Sequence, residues 1–223
     1  MARIDLERRA EIGREKRART RAQLLEGAKS LLAERPLAAI TIDDIVVASG
    51  VAKGTFYYHF NDIVELAGAV ARDLTVDFDE LIRPHRFTFD NPLERVGFGL
   101  LSFLGKAAED HRWGRLVLNA LPASSELGYS IRQNLVADLS KAKRAGRLGV
   151  DDVELAADLV IGIWREVTRG ITDGRLGPGT VDAACIAALR ALGLTRSEAV
   201  ALVARVRNKV VGLVAHGAAE VPT

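Results

Sequence analysis

The sequence predicts an all-helical protein, and three observations carry that expectation. Ala, Leu, Arg, Val and Glu dominate its 223 residues, prolines number only six, and apolar residues recur at spacings of three and four. With 48% hydrophobic and 27% charged residues spread along the chain, the profile is that of a soluble globular protein. Its length suffices to bury a core, as one large domain or as a small domain joined to a larger one. No sheet is expected.

A first helix is expected from about Arg17 to Glu34, with Ala18, Leu24, Leu25, Ala28, Leu31 and Leu32 as its apolar stripe and Pro36 as its limit. Thr41, followed three residues later by Asp44, places a hydroxyl cap and an acid at the start of a short second helix that runs through Ala48. Ser49-Gly50-Val51 interrupts it. Gly50 suits the positive φ of a tight turn, and a third short helix follows from Ala52 to about His59. Two short helices about a tight turn make a helix-turn-helix.

Asn61 or Asp62 caps a longer fourth helix, with Ile63, Leu66, Val70, Leu74, Phe78 and Leu81 inward and an end near Pro84. Asn91, Pro92 and Glu94 supply a cap, a first-position proline and a capping-box acid for a fifth helix. His111 to Leu121 forms a short sixth, stopped by Pro122. Ser124 or Ser125 opens a seventh, with Leu127, Ile131, Leu135 and Leu139 inward and Lys141, Lys143 and Arg144 near its C-terminal end. Asp151 with Glu154 starts an eighth, whose apolar side holds Leu155, Leu159, Val160, Ile163, Trp164 and Val167. After a loop over Gly174 to Gly179, Thr180 caps a helix to Leu192, Gly193 ends it, and Thr195 to Glu198 caps a last helix reaching about His216. The boundary between a smaller and a larger part falls near residue 60.

The net charge of +2 says little, but its distribution is uneven. Residues 1–21 carry eight cations, Arg3, Arg8, Arg9, Arg14, Lys16, Arg17, Arg19 and Arg21, against the four anions Asp5, Glu7, Glu11 and Glu15. A charge run of this kind is either a solvated helix or an arm for an anionic partner. Cys185, the only cysteine, allows no intrachain disulfide. The charged start lacks the apolar core of a secretory signal, and the longest nearly apolar run, Val96 to Gly105, is far short of the roughly 20 residues of a membrane-spanning helix. A cytoplasmic protein without membrane contact is expected.

Gly50 and Val51, Lys53, Gly54 and Thr55, and Tyr57, Tyr58, His59 and Phe60 stand together behind a basic first helix. In this arrangement residues 41–60 resemble the helix-turn-helix of the tetracycline-repressor (TetR) family almost position by position. The resemblance covers about residues 17–68; beyond it only the helical layout and the length are similar. It implies a basic arm and DNA-binding domain in residues 1–60, followed by a helical ligand-binding and dimerisation domain in residues 61–223. It further implies a bacterial repressor that binds double-stranded operator DNA as a homodimer and leaves it when a small, apolar ligand binds. No cofactor is implied. The alternative is a ligand-independent or partner-controlled helical DNA-binding protein.

The chemistry of the motif agrees with this. A recognition helix enters the major groove by its N-terminal end, where free N–H groups favour phosphates and short side chains reach base edges. Thr41 is expected at a phosphate; Lys53 and Thr55 at phosphates and bases; Gly54 where the backbone approaches DNA closely; and Tyr57, Tyr58 and His59 along the backbone. Phe56 and Phe60 are expected in the core. Many family members place a lysine near the start of the fourth helix, and Asn61-Asp62-Ile63 supplies none. Arg17, Arg19 and Arg21, with Arg14 and Lys16, are expected to compensate along the backbone or in the minor groove.

Nothing in the larger part reads as catalytic or metal-binding: His59, His85, His111 and His216 are scattered, and none pairs with a carboxylate or Cys185 at ligand spacing. Cys185 reads as a buried apolar side chain. By resemblance, the ligand is expected among Phe103, Trp113, Asn119, Tyr129 and Trp164, with Asn119 and Arg165 as the few inward polar groups. Gly97, Gly99 and Gly105 in the fifth helix mean either close helix packing or room for a ligand. Leu155, Leu159, Leu202, Val206, Val210 and Leu213 exceed what one small core needs and are expected at the dimer interface.

Overall fold

The computed structural model describes the backbone of residues 2–120 and 125–217, and the side chains of these except 2–7, 9–10, 77, 125–130 and 209–217. The described residues contain no strand and ten α-helices: α1 (Ala2–Leu32), α2 (Ile42–Ser49), α3 (Lys53–His59), α4 (Ile63–Arg86), α5 (Pro92–Glu109), α6 (His111–Ala120), α7 (Ser125–Arg144), α8 (Val153–Thr172), α9 (Thr180–Ala191) and α10 (Arg196–Gly217). A 3-10 turn, Leu37–Ala39, follows α1. The chain divides into two compact units, residues 1–73 with 119–127, and residues 74–118 with 128–223, so the division runs inside α4.

In the first unit α1 begins at Ala2, not near Arg17. Its early turns are rich in Arg and Glu, both strong helix formers, and the exposed Glu15 and Arg19 stand one turn apart, so the helix extends ahead of Leu24, the first buried residue among those whose side chains are described. Burial starts at Leu24 and Leu25 and continues through Ala28 and Leu32, while Ala18, expected inward, is exposed. At α2 the capping box forms as the sequence predicts: Thr41 Oγ1 accepts from the Asp44 N–H, and the Asp44 carboxylate accepts from the Thr41 N–H at 2.8 Å. Gly50 closes α2 at φ +65°, a left-handed conformation that a side chain would strain, and its N–H donates back to Val46 and Val47. Ile45, Val51, Phe56, Phe60, Leu66 and Val70 fill the core beneath the motif. The start of α4 is held by Asp62, whose carboxylate accepts from the Glu65 N–H, while Glu65 accepts from the Asn61 N–H.

The second unit is built around α5, which packs on α8, α9 and α10. At Gly97 the contact with α10 is close: a Cβ there would lie 2.9 Å from Leu202 Cδ2, so any larger residue would require the leucine tip to shift. Leu202 and Val206 are therefore buried within the chain and are not surplus apolar surface; of the residues expected at a dimer interface, Leu155 and Leu159 are exposed, and the side chains of Val210 and Leu213 lie outside the described residues. Several helix ends also differ from expectation. The fourth helix continues past Pro84 to Arg86, because a proline in the final turn forfeits only its own N–H bond. Its Leu81, expected inward, is exposed. Asp152, not Asp151, caps α8, accepting from Glu154 and Leu155 N–H groups, and Gly179 stands at the cap of α9 where Thr180 was expected. The Thr195 and Glu198 capping box of α10 forms as expected. The buried Asp138 of α7 binds Arg86 at 2.6 Å and Arg95 at 3.5 Å, fixing the turn between α4 and α5.

Candidate functional site

The outer face of α3 is made by what its inner face needs. Phe56 is wholly buried and contacts Phe60 at 6.2 Å and Tyr57 edge-on at 5.5 Å. With one side of a seven-residue helix committed to the core, Lys53, Gly54, Tyr57 and Tyr58 are left outside. Tyr57 is 53% and Tyr58 67% exposed, unusual for side chains of this size. Lys53 lies at the first turn, its ammonium 2.7 Å from the Asp43 carboxylate, and that contact raises its pKa. A Cβ at Gly54 would meet nothing within 4 Å, so no contact within the chain requires a glycine there. Ala52, at the cap of α3, gives no side-chain acceptor to the first N–H groups of the helix.

At the other end of α3, His59 is half-buried and contacts the Tyr58 ring edge-on at 5.1 Å. Burial, then the positive charges of Arg21 and Arg17, depress its pKa below the ordinary imidazole value. Arg21 lies over the Phe60 ring at 5.3 Å. The structure thus brings Arg17, Arg21 and His59 into one electropositive group, while Arg19 is exposed on α1. Thr55 is half-buried at the start of α3. Thr41 differs from the others: both its N–H and its hydroxyl donate to the Asp44 carboxylate at 2.8 Å, which lowers the Asp44 pKa, so its donors are engaged inside the capping box.

The residues expected around a ligand divide. Phe103, Trp113 and Trp164 come together in the second unit with Phe78: Phe78 lies 5.0 Å from Phe103 and 5.3 Å from Trp113, and Phe103 lies 6.2 Å from Trp164. Asn119 lies in the first unit, where its amide donates to the Leu32 and Arg35 carbonyls at 2.8 and 3.4 Å, closing the C-terminal end of α1. The Tyr129 side chain lies outside the described residues. Arg165, expected inward, is exposed. Sequence reasoning missed Ser102 and Thr168, both buried polar residues on α5 and α8; their small side chains carry no signal in a helical pattern. Burial pushes the Cys185 thiol pKa far up, leaving it inert. Among the described residues no group of His, Cys, Asp and Glu is placed to hold a metal ion, and no helix is long and apolar enough to cross a membrane.

Residues 24–70, the span of the motif and its core, match the family described as bacterial regulatory proteins, tetR family. The chain is 30% identical over 173 residues to the probable HTH-type transcriptional regulator ArpR of Pseudomonas putida, covering 68% of this chain and 82% of that protein. It is 32% identical over 128 residues to the HTH-type transcriptional repressor KstR2 of Mycobacterium tuberculosis, covering 56% of this chain and 60% of that one. Among solved structures, RolR in complex with resorcinol superposes with a TM-score of 0.64 at 26% identity, over 86% of this chain and 96% of that one. FadR of Bacillus subtilis shares the fold at 18% identity and a TM-score of 0.59, covering 78% of this chain and 99% of that one. With an exposed recognition helix and a relative matched over most of its length, the chain belongs to the tetR family of bacterial regulatory proteins and is a helix-turn-helix transcriptional regulator.

Proposed function

We propose that this regulator is a repressor that grips a palindromic operator as a homodimer and is released by a small, largely apolar ligand. The observation that carries the DNA contact is the outer face of α3, where Lys53, Gly54, Tyr57 and Tyr58 stand free of the core. Lys53 and Tyr58 take phosphates, Thr55 and the Gly54 backbone approach base edges, and Arg17, Arg19, Arg21 and His59 meet the flanking backbone. Thr41 contributes only if the phosphate takes its hydroxyl from Asp44. The functional division assigns residues 1–60 to DNA and residues 61–223 to ligand and dimer.

For the ligand, Phe103, Trp113 and Trp164 supply an aromatic wall, and RolR, similar over most of this chain, was solved with resorcinol. Asn119 is left out of this wall because its amide is engaged at α1. For the dimer, Leu155, 52% exposed, and Leu159 offer an apolar face on α8. The reading is of a cytoplasmic protein without catalytic residues. Fluorescence anisotropy with a short palindromic duplex tests the whole: binding is expected with two protomers per site, weakening steeply with salt, and reversed by a ligand. Salt-independent or one-to-one binding would refute it. Sedimentation of Leu155→Glu is expected to give monomers with lowered operator affinity.

A further inference from the structure

Apart from Arg132 Nη1, which lies 2.9 Å from the Asp158 carboxylate, three polar side-chain atoms among the described residues of the second unit are buried without a hydrogen-bond partner in the chain: Ser102 Oγ on α5, and Trp164 Nε1 and Thr168 Oγ1 on α8. Each residue is more than nine-tenths buried. The same groups nearby are satisfied. Trp113 Nε1 donates to the Leu74 carbonyl at 3.3 Å, and the Thr172 hydroxyl donates to the Arg169 carbonyl at 3.1 Å. Buried polar groups are nearly always partnered, so unpartnered ones concentrated on two packed helices mark a place for a partner from outside the chain.

Their placement is coherent. Trp164 and Thr168 are four residues apart and share one face of α8. Helix α5 packs on α8, and Phe103, beside Ser102, meets the Trp164 ring edge-on. We infer that Ser102, Trp164 and Thr168 form the polar subsite of the effector site, and that it takes an uncharged, flat aromatic molecule bearing a hydroxyl group. This rests on the reading that the second unit binds an effector.

The chemistry of the three groups selects the class. An indole N–H only donates, so it needs an acceptor oxygen; serine and threonine hydroxyls donate or accept. A phenolic hydroxyl answers both needs, accepting from Trp164 and donating to Ser102 or Thr168. The Phe78, Phe103 and Trp164 rings favour a flat aromatic body. An anion finds no unpaired buried countercharge on α5 or α8: Arg95 is held with Arg86 by Asp138, Lys106, one turn from Ser102, lies 4.0 Å from the Asp110 carboxylate, and Arg165 and Arg169 are exposed.

Phenol, toluene and benzoate serve as probes. The two indole N–H signals of the full-length protein are followed by proton–nitrogen NMR, with Trp113→Phe to assign them, while operator release is read by anisotropy in parallel. Phenol is expected to move the Trp164 signal saturably, and toluene and benzoate to bind about tenfold more weakly or less. Ser102→Ala and Thr168→Val are expected to weaken phenol about three- to tenfold without lowering the unfolding temperature, since each removes an unpaired group. A Trp164 signal indifferent to phenol, equal binding of toluene or benzoate, or unchanged phenol affinity in both variants overturns the subsite. Release by a probe that leaves Trp164 unmoved would keep the repressor reading and sink the subsite. A specific Trp164 shift without release would do the reverse.

Discussion

Helix α3 and the helices around α5 both gather aromatic residues, and dispose of them in opposite ways. Around α5, Phe78, Phe103, Trp113 and Trp164 turn toward one another. On α3, Phe56 and Phe60 turn inward while Tyr57 and Tyr58 remain in solvent. The outward pair keeps a polar tip in water and a ring ready for a charged, flat-stacked partner; the inward set builds a wall whose polar atoms are partly unpartnered. The first arrangement suits a polyanion gripped from outside, and the second a small molecule enclosed.

The contrast breaks most visibly within α3 itself. Phe56→Ala is expected to destabilise the protein by about 3–5 kcal/mol, because it empties a fully buried ring site. Tyr57→Ala is expected to change stability by less than about 1 kcal/mol while weakening operator binding. Thermal unfolding beside anisotropy separates the two. A stable Phe56→Ala, or a Tyr57→Ala that unfolds, would erase the distinction between inner and outer faces.

Next in size is Phe78, which lies on the α5 side of the comparison although its helix begins beside the motif. If ligand binding acts by displacing this end of α4, Phe78→Ala is expected to change the ligand concentration for release by about tenfold, with operator affinity in the absence of ligand unchanged. Part of any loss is packing, so the variant is compared with Leu81→Ala on the exposed face of the same helix. Equal shifts in both would assign the effect to the helix and not to the aromatic contact.

The two regions also differ in how far they were legible. The motif depends on local chemistry, a hydroxyl and an acid three residues apart and a glycine at positive φ, and these are written in consecutive residues. The interior depends on approaches between distant segments. Gly97 meets Leu202 from more than a hundred residues away, which turned an expected dimer contact into core. Asn119 reads as a pocket residue on a helical wheel, yet its partner is the end of α1. Ser102 and Thr168 matter for what they lack, and no residue pattern records a missing hydrogen bond.

Smaller effects sharpen the outer face. Lys53→Ala and Tyr58→Phe are each expected to weaken operator binding about tenfold or less, and loss of the lysine to flatten the salt dependence by about one unit. Gly54→Ala sets fold against function: with open space around the added methyl, alanine is expected to stabilise α3 by up to about 1 kcal/mol while DNA affinity falls. Unchanged affinity in that variant would remove Gly54 from the interface.

The smallest expected effect concerns His59 and pH. Its imidazole is neutral in the free protein near pH 7.5, because burial and the charges of Arg21 and Arg17 disfavour the proton. A phosphate oxygen beside it acts oppositely and raises the pKa, so DNA binding takes up protons. Operator affinity is therefore expected to rise as pH falls from about 8 to 6, a trend that His59→Gln abolishes. Stability of the free protein runs the other way. With the folded pKa below the unfolded value of about 6.5, the unfolded chain gains its proton first, and the contribution present above that value is lost as pH falls. Opposite slopes for binding and for unfolding place a phosphate at His59. Parallel slopes, or a binding slope that survives His59→Gln, would leave the imidazole as a structural end to α3 and pass its contact to Arg17 and Arg21.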